Sequence, residues 1–193
     1  LLTPGLRQRM AEASEALGSD IGALIHAGPK EQLDLTTNTQ PVMLTAGVAC
    51  YRAWLADTGL QPAAMAGHSL GEYSALVAAG ALSLADALPL VRLRAQAMQE
   101  AVPVGTGGMA AILGLDAAAV RDGCAEAAAS SGEVVEAVNF NDPKQTVIAG
   151  SKAGVEKACE LLKAKGAKRA LALPVSAPFH SSLMRPAAER LKE

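Results

Sequence analysis

Aromatic side chains are scarce in this chain: one Trp, two Tyr and two Phe among 193 residues. A core with so few rings must be filled by small and aliphatic groups, and the abundant alanines suit helices packed closely on a sheet. A surplus of one charge is also missing. The formal net charge of −2 gives no basic footprint, which argues against a nucleic-acid partner. No apolar run approaches the roughly 20 residues of a membrane span, and no signal peptide is read. No membrane partner and a cytoplasmic location are therefore expected. Cysteine is limited to Cys50, Cys124 and Cys159. They are odd in number and far apart, so reduced core thiols are expected and neither a disulfide nor a metal site. There is no internal repeat and no low-complexity segment.

Half of the residues are hydrophobic, enough for one domain with a small insert. The most informative stretch is Gly67-His68-Ser69-Leu70-Gly71-Glu72. The apolar Ala63-Ala64-Met65-Ala66 before it, after Pro62, predicts a buried strand. Tyr73 to Ala79, ending at Gly80, predicts a helix with a glycine cap. A serine between strand and helix, with glycines two residues to either side, is the nucleophile-elbow pattern. It predicts a strained serine backbone, crowded flanks where only glycine fits, and helix N–H groups turned on the serine oxygen.

In chain order, Thr3-Pro4 predicts a cap for a helix carrying Leu6, Met10, Ala13 and Leu17, stopped at Gly18. Asp20 caps a short helix that Gly28-Pro29 ends. Thr36 to Gln40 reads as a polar break. A long helix follows from Pro41 to Asp57, with Met43, Ala46, Cys50 and Trp54 among its apolar positions. Ser83-Leu84-Ala85-Asp86 opens another helix, reaching Ala101, in the manner of a capping box. Pro103 to Gly108 is a linker. Beyond it the elements predicted are a strand (109–113), a helix (117–129), two strands (134–139 and 145–149) around a turn at 141–144, a helix from Ser151 to Lys165, and a strand (168–174). The order β-α-β-β-α-β is the ferredoxin-like pattern. The expected fold is α/β: a hydrolase-like core with a parallel sheet over 1–104 and 175–193, and a ferredoxin-like subdomain over 105–174. Ser176 to His180 leads back to the core and Ser182 to Lys192 into a last helix.

A serine nucleophile needs a base. Of the three histidines, His68 adjoins the serine and leaves the turn in another direction, as a packing or substrate-lining group. His26 lies in the N-terminal helical region. By elimination His180 is the base, its approach stiffened by Pro178 and Phe179. Arg94 is the second chemical feature. At about 100° per residue, Ala87, Leu90, Val91, Met98 and Ala101 share its side of the helix and Arg92 lies opposite. A guanidinium on an apolar stripe needs a partner. Two readings stand: an internal salt bridge to a core acid, or a substrate carboxylate gripped bidentately. Lys152, Lys157, Lys163, Lys165, Lys168 and Arg169 gather in the insert against Glu156 and Glu160, as a solvated face or a dock for an acidic partner.

Four pieces together resemble the malonyl-CoA:acyl carrier protein transacylase family of bacterial type II fatty acid synthesis. They are Gly67 to Ala75, Arg94 within Leu93 to Gln99, Val138-Asn139-Phe140-Asn141, and Val175 to His180. The resemblance implies ping-pong transfer of malonyl from malonyl-CoA through Ser69 to the phosphopantetheine thiol of acyl carrier protein, for fatty acid or polyketide synthesis. It needs no cofactor and no metal. It implies His180 as base then acid, Arg94 on the malonyl carboxylate, and the Leu70 N–H in the oxyanion hole. His68, Met98, Phe179 and Asn141 complete the substrate-binding set, with Met98 and Phe179 as its apolar wall. The family's N-terminal glutamine strand end and its later histidine-orienting carbonyl are expected to lie outside this chain. Three rivals remain. A serine esterase or thioesterase of the α/β-hydrolase class needs an acid, and Asp86, Asp116, Asp122 and Asp142 all sit at caps, turns or helix starts. The others are a non-catalytic carrier-binding scaffold and an acyltransferase module of a larger synthase.

Overall fold

The computed structural model describes residues 4–175 and 177–192, with side chains for all of these except 4–6 and 9. The expected Thr3 cap and Ser176 lie outside the described residues. The chain is α/β and divides into two units, 1–96 and 97–193.

The first unit is helical. It holds α1 (Pro4–Leu17), α2 (Ile21–Ala27), α3 (Lys30–Leu33), α4 (Thr36–Thr58), α5 (Gly71–Ala78) and α6 (Leu84–Glu100), the last continuing beyond residue 96. Local chemistry sets several boundaries. The Asp20 carboxylate accepts from Ala23 N–H at 2.8 Å and starts α2. Ser83 Oγ accepts from Asp86 N–H at 3.0 Å and donates to the Asp86 carboxylate at 2.5 Å, opening α6 with the N-cap half of a capping box. The core joins Ala13, Ile21, Leu44, Val48, Val77, Leu84, Ala87, Leu88 and Val91.

Three expectations are corrected in this unit. Thr36 to Gln40 is the first part of α4 and not a break. Pro41 lacks an N–H to give to Thr37, yet the turns ahead of it are held by polar side chains. Gln40 bonds Thr36, Thr39 Oγ1 donates to the Leu35 carbonyl at 2.9 Å, and Asn38 donates to the Gln32 carbonyl at 2.9 Å. The buried face of α4 carries Gln40, Pro41, Leu44, Thr45, Val48 and Ala49, whereas Met43, Cys50 and Trp54 are exposed. This helix has apolar residues on more than one side, and its neighbours α1 and α5 choose the face. Third, Ala63 to Ala66 forms no strand: Ala63, Ala64 and Ala66 are exposed and Met65 is half-buried. A strand exists only with a neighbour, and no backbone hydrogen bond among the described residues involves 62–67. This bare segment borders a trough of about 930 Å³ lined by Tyr51, Leu55, Leu76 and Val77 among others.

The second unit holds β1 (Gly107–Leu113), α7 (Ala117–Ser131), β2 (Val135–Asp142), β3 (Gln145–Ser151), α8 (Lys152–Ala164), β4 (Arg169–Ala172), a 3-10 turn (Ser182–Met184) and α9 (Arg185–Arg190). The four strands form one antiparallel sheet in the order β2-β3-β1-β4. Asp116 and Ser151 cap the two long helices through Ala119 N–H and Gly154 N–H. Gly132 ends α7 at φ 73°, a left-handed conformation suited to glycine. One face of the sheet buries Ala110, Ile112 and Ile148 against Val120, Cys124, Ala127, Val155, Ala158 and Leu162 of the helices. The other buries Met109, Ala111, Val147 and Ala149 beneath Val138, Leu173 and Phe179. Burial on both faces explains why β1 shows no alternation. The turn expected at 141–144 is tighter, because Asn141 and Asp142 belong to β2 and Asp142 Oδ1 accepts from Lys144 N–H at 2.9 Å. All three cysteines are free. Cys124 is a core thiol pushed up to about 12 by burial, but Cys50 is exposed and does not belong to the core.

Candidate active site

The elbow starts from one close approach. A Cβ on Gly67 would fall 1.9 Å from the Gly71 carbonyl carbon and 2.1 Å from the Glu72 nitrogen. Backbone cannot yield to it, so glycine is required there. Gly71 is different: a Cβ there meets nothing within 4 Å, so crowding does not demand the second glycine. Between them Ser69 takes φ 54°, in the left-handed region that a non-glycine residue rarely enters. The start of α5 spends two of its N–H groups on the turn itself: Gly71 donates to the His68 carbonyl at 2.9 Å and Glu72 to the Ser69 carbonyl at 3.2 Å. The expected ring of N–H groups on the serine oxygen thus narrows to Leu70, whose N–H has no acceptor among the described residues.

The Ser69 side chain has a cationic neighbour instead. Arg94, 9% exposed, donates from one Nη to Ser69 Oγ at 3.0 Å and from the other to Gln40 Oε1 at 2.5 Å. Its Cζ lies 5.7 Å from the centre of the Tyr73 ring. Among the described residues no carboxylate pairs with Arg94. The core-acid reading is therefore replaced by a neutral cradle. Burial holds the guanidinium below its usual pKa, opposed by Tyr73, and an arginine in a protein remains charged. A cation this close to Oγ favours the alkoxide over the hydroxyl.

Gln40 was missed in the sequence because its surroundings read as a break. The signal was there: Thr36 and Gln40 are four apart, hence stacked on one helix face. Gln40 Nε2 donates to Thr36 Oγ1 at 3.0 Å, with both residues buried.

The first unit thus brings together Ser69, Leu70, Arg94, Gln40 and Tyr73, with His68 exposed beside them. His180, Phe179, Met98 and Asn141 belong to the second unit. His180 is exposed and also left-handed, at φ 66°. Its turn is fixed from both sides: Phe179 N–H donates to the Ala177 carbonyl at 3.0 Å, and Ser181 Oγ to the Pro178 carbonyl at 2.7 Å. Pro178 lies so close to Gly107 that a Cβ there would be 2.3 Å from the proline ring. Phe179 and buried Met98 share a cluster with Ala97, Ala177, Met184 and Ala187. Asn141 is exposed near the tip of the β2–β3 hairpin. Among the described residues, no group of three or more His, Cys, Asp and Glu side chains could hold a metal ion, and no helix is long and apolar enough to cross a membrane.

Residues 3–193 match the acyl transferase domain family. The malonyl CoA-acyl carrier protein transacylase of Escherichia coli (strain K12) is 58% identical over 188 residues, which are 97% of this chain and 60% of that protein. The crystal structure of the acyl-carrier-protein S-malonyltransferase of Burkholderia pseudomallei 1710b superposes with a TM-score of 0.93 at 69% identity, over 96% of this chain and 60% of that one. A malonyl-transacylase in complex with a type II polyketide acyl-carrier protein gives 0.94 at 52% identity, over 98% of this chain and 60% of that one. The chain spans about 60% of the length of these relatives.

Proposed function

Because the chain belongs to the acyl transferase domain family, we propose that it carries out malonyl transfer from malonyl-CoA to the phosphopantetheine thiol of acyl carrier protein, serving fatty acid or polyketide synthesis. Ser69 Oγ attacks the thioester carbonyl while His180 takes its proton. The Leu70 N–H receives the developing oxyanion. The CoA thiolate leaves and His180 returns the proton to it. In the second half the carrier thiol gives its proton to His180 and attacks malonyl-Ser69, and Ser69 Oγ leaves, taking that proton back from His180. Group transfer through a serine ester requires no cofactor and no metal. Arg94 receives the malonyl carboxylate, His68 and Asn141 line the substrate path, and Met98 and Phe179 limit bulk at its middle carbon. We place the reaction in the cytoplasm, in keeping with free thiols at Cys50, Cys124 and Cys159.

The same reading extends to the fold. We propose that segment 63–66, which pairs with no strand among the described residues, stands where a hydrolase-like core has the strand before its elbow, and that this core with its parallel sheet spans 1–104 and 175–193. The segment's bare backbone and the trough beside it support this. Residues 105–174 are the ferredoxin-like subdomain, supported by the β-α-β-β-α-β order and the arrangement β2-β3-β1-β4.

One observation carries the substrate assignment: a buried guanidinium whose hydrogen-bond partners among the described residues are neutral, one of them the elbow serine. A neutral-ester hydrolase has no use for it. The test is intact mass and peptide mapping after brief exposure to malonyl-CoA. The adduct is expected on the Ser69 peptide and absent from Ser69→Ala; an adduct on a cysteine peptide would end the proposal.

A further inference from the structure

We propose that Thr36 and Gln40 are positioning residues that keep Arg94 pinned toward Ser69 while leaving its charge unspent, and so set the preference for acidic over neutral acyl groups. The inference rests on the malonyl-transfer reading. It starts from bonding constraints. A guanidinium has donors only, so the Gln40 amide must present its oxygen to Arg94. The amide nitrogen then points away and needs an acceptor, which Thr36 Oγ1 supplies at 3.0 Å. Thr36, Gln40 and Arg94 are 8%, 6% and 9% exposed, so water does not readily replace either bond. The relay runs along the first turns of α4, ahead of Pro41, and ends on α6.

The neutrality of Gln40 is the deciding property. A glutamate of the same length in this place would also pin Arg94, with a stronger bond. It would also cancel the charge, and an arriving carboxylate would meet a neutral pair and a second anion. With glutamine the cation is held in place and awaits its counter-charge from the substrate. A neutral acyl group leaves that cation buried and unpaired, which is a penalty against the wrong substrate. Thr36 acts one step further out. Without its oxygen the amide loses this bond to the first turn of α4, turns more readily, and holds Arg94 less firmly.

The experiment compares wild type, Gln40→Glu, Thr36→Val and Thr36→Ser in two measurements. The first is the ratio of initial rates of Ser69 acylation by malonyl-CoA and acetyl-CoA. Gln40→Glu is expected to lower the malonyl preference at least about tenfold, the loss of one buried charge pairing. Thr36→Val should lower it less, through KM more than kcat, and Thr36→Ser should restore it. The second is ¹⁵N guanidinium NMR of Arg94, which needs no turnover. Wild type and Thr36→Ser should show resolved Nη resonances from hindered rotation, and Thr36→Val should show averaged ones. A Gln40→Glu ratio within about twofold of wild type, below any buried charge effect, would overturn the inference. Averaged Arg94 resonances in wild type would do the same. Failure of malonyl transfer itself looks different: no adduct on Ser69 in wild type, with the resonance comparison of the Thr36 variants still deciding the relay.

Discussion

Malonyl differs from acetyl by one carboxylate, so Arg94 is where a single residue should separate the two. Arg94→Ala removes one partner of a buried charge pair and should cost malonyl acylation about 2–5 kcal/mol. Acetyl acylation should stay level or rise, because the unpaired cation has gone. Lysine should rescue only in part, having a point charge and no fork. Both substrates falling by one factor would make Arg94 purely structural. His180→Ala should slow acylation and carrier transfer alike, since one base serves both halves, and His26→Ala should change neither; equal behaviour of the two would remove His180 from the base role. The glycines flanking Ser69 make a third comparison, read by thermal or urea unfolding. Gly67→Ala puts a Cβ 1.9 Å from backbone and should destabilise by about 3 kcal/mol, the upper end of overpacking. Gly71→Ala finds open space and should be near neutral. At this scale the left-handed backbone of Ser69, the burial of Arg94 and the crowding at Gly67 were legible, because each follows from local sequence. It was silent on Gln40, because only α4 meeting α6 makes that amide a partner of Arg94.

Among the elements, those of the second unit could be read almost as built. Asp116 and Ser151 cap, Gly132 and Gly166 stop, and α7 and α8 each lie between two strands in sequence. The first unit resisted because its helices are apolar on several sides, and their buried faces hold Thr36, Gln40 and Thr45 as hydrogen-bonded groups. The segment 63–66 resisted for another reason: apolar composition predicts burial, but pairing decides whether a strand forms. The helix pair α7–α8 offers a test of the core. Cys124 on α7 is buried in the cluster with Leu162 of α8, and its thiol is pushed up to about 12 from 9.0, chiefly by burial. The unfolded chain therefore releases this proton near pH 9 while the folded chain retains it. The stabilisation is complete below pH 9 and lost as pH rises toward about 12. At neutral pH a thiol-alkylating reagent should modify exposed Cys50 rapidly and Cys124 only at the rate of opening. Equal rates would mean that α7 and α8 do not close over Cys124.

On the scale of the whole molecule, basic side chains gather on the second unit. Lys152, Lys157, Lys163, Lys165, Lys168 and Arg169 are all exposed, and Lys165 is partly occupied by Glu126 at 2.7 Å. If this face meets the acidic carrier protein, reversing Lys163, Lys168 and Arg169 should slow carrier transfer most at low salt and spare acylation by malonyl-CoA. Unchanged transfer at low salt would reduce the cluster to a solvated face. The trough beside residues 62–67 has a different consequence, for the chain as a material in solution. An apolar segment whose amides and carbonyls have no backbone partner among the described residues is a template for an extended chain, including another copy. Concentrated samples should therefore self-associate, with light scattering that climbs faster than concentration. A lysine at Ala64 should suppress it, since a charge at an open edge acts as a gatekeeper. The same few residues that lead into the serine turn would then govern shelf life, filterability and the highest concentration at which the chain stays clear.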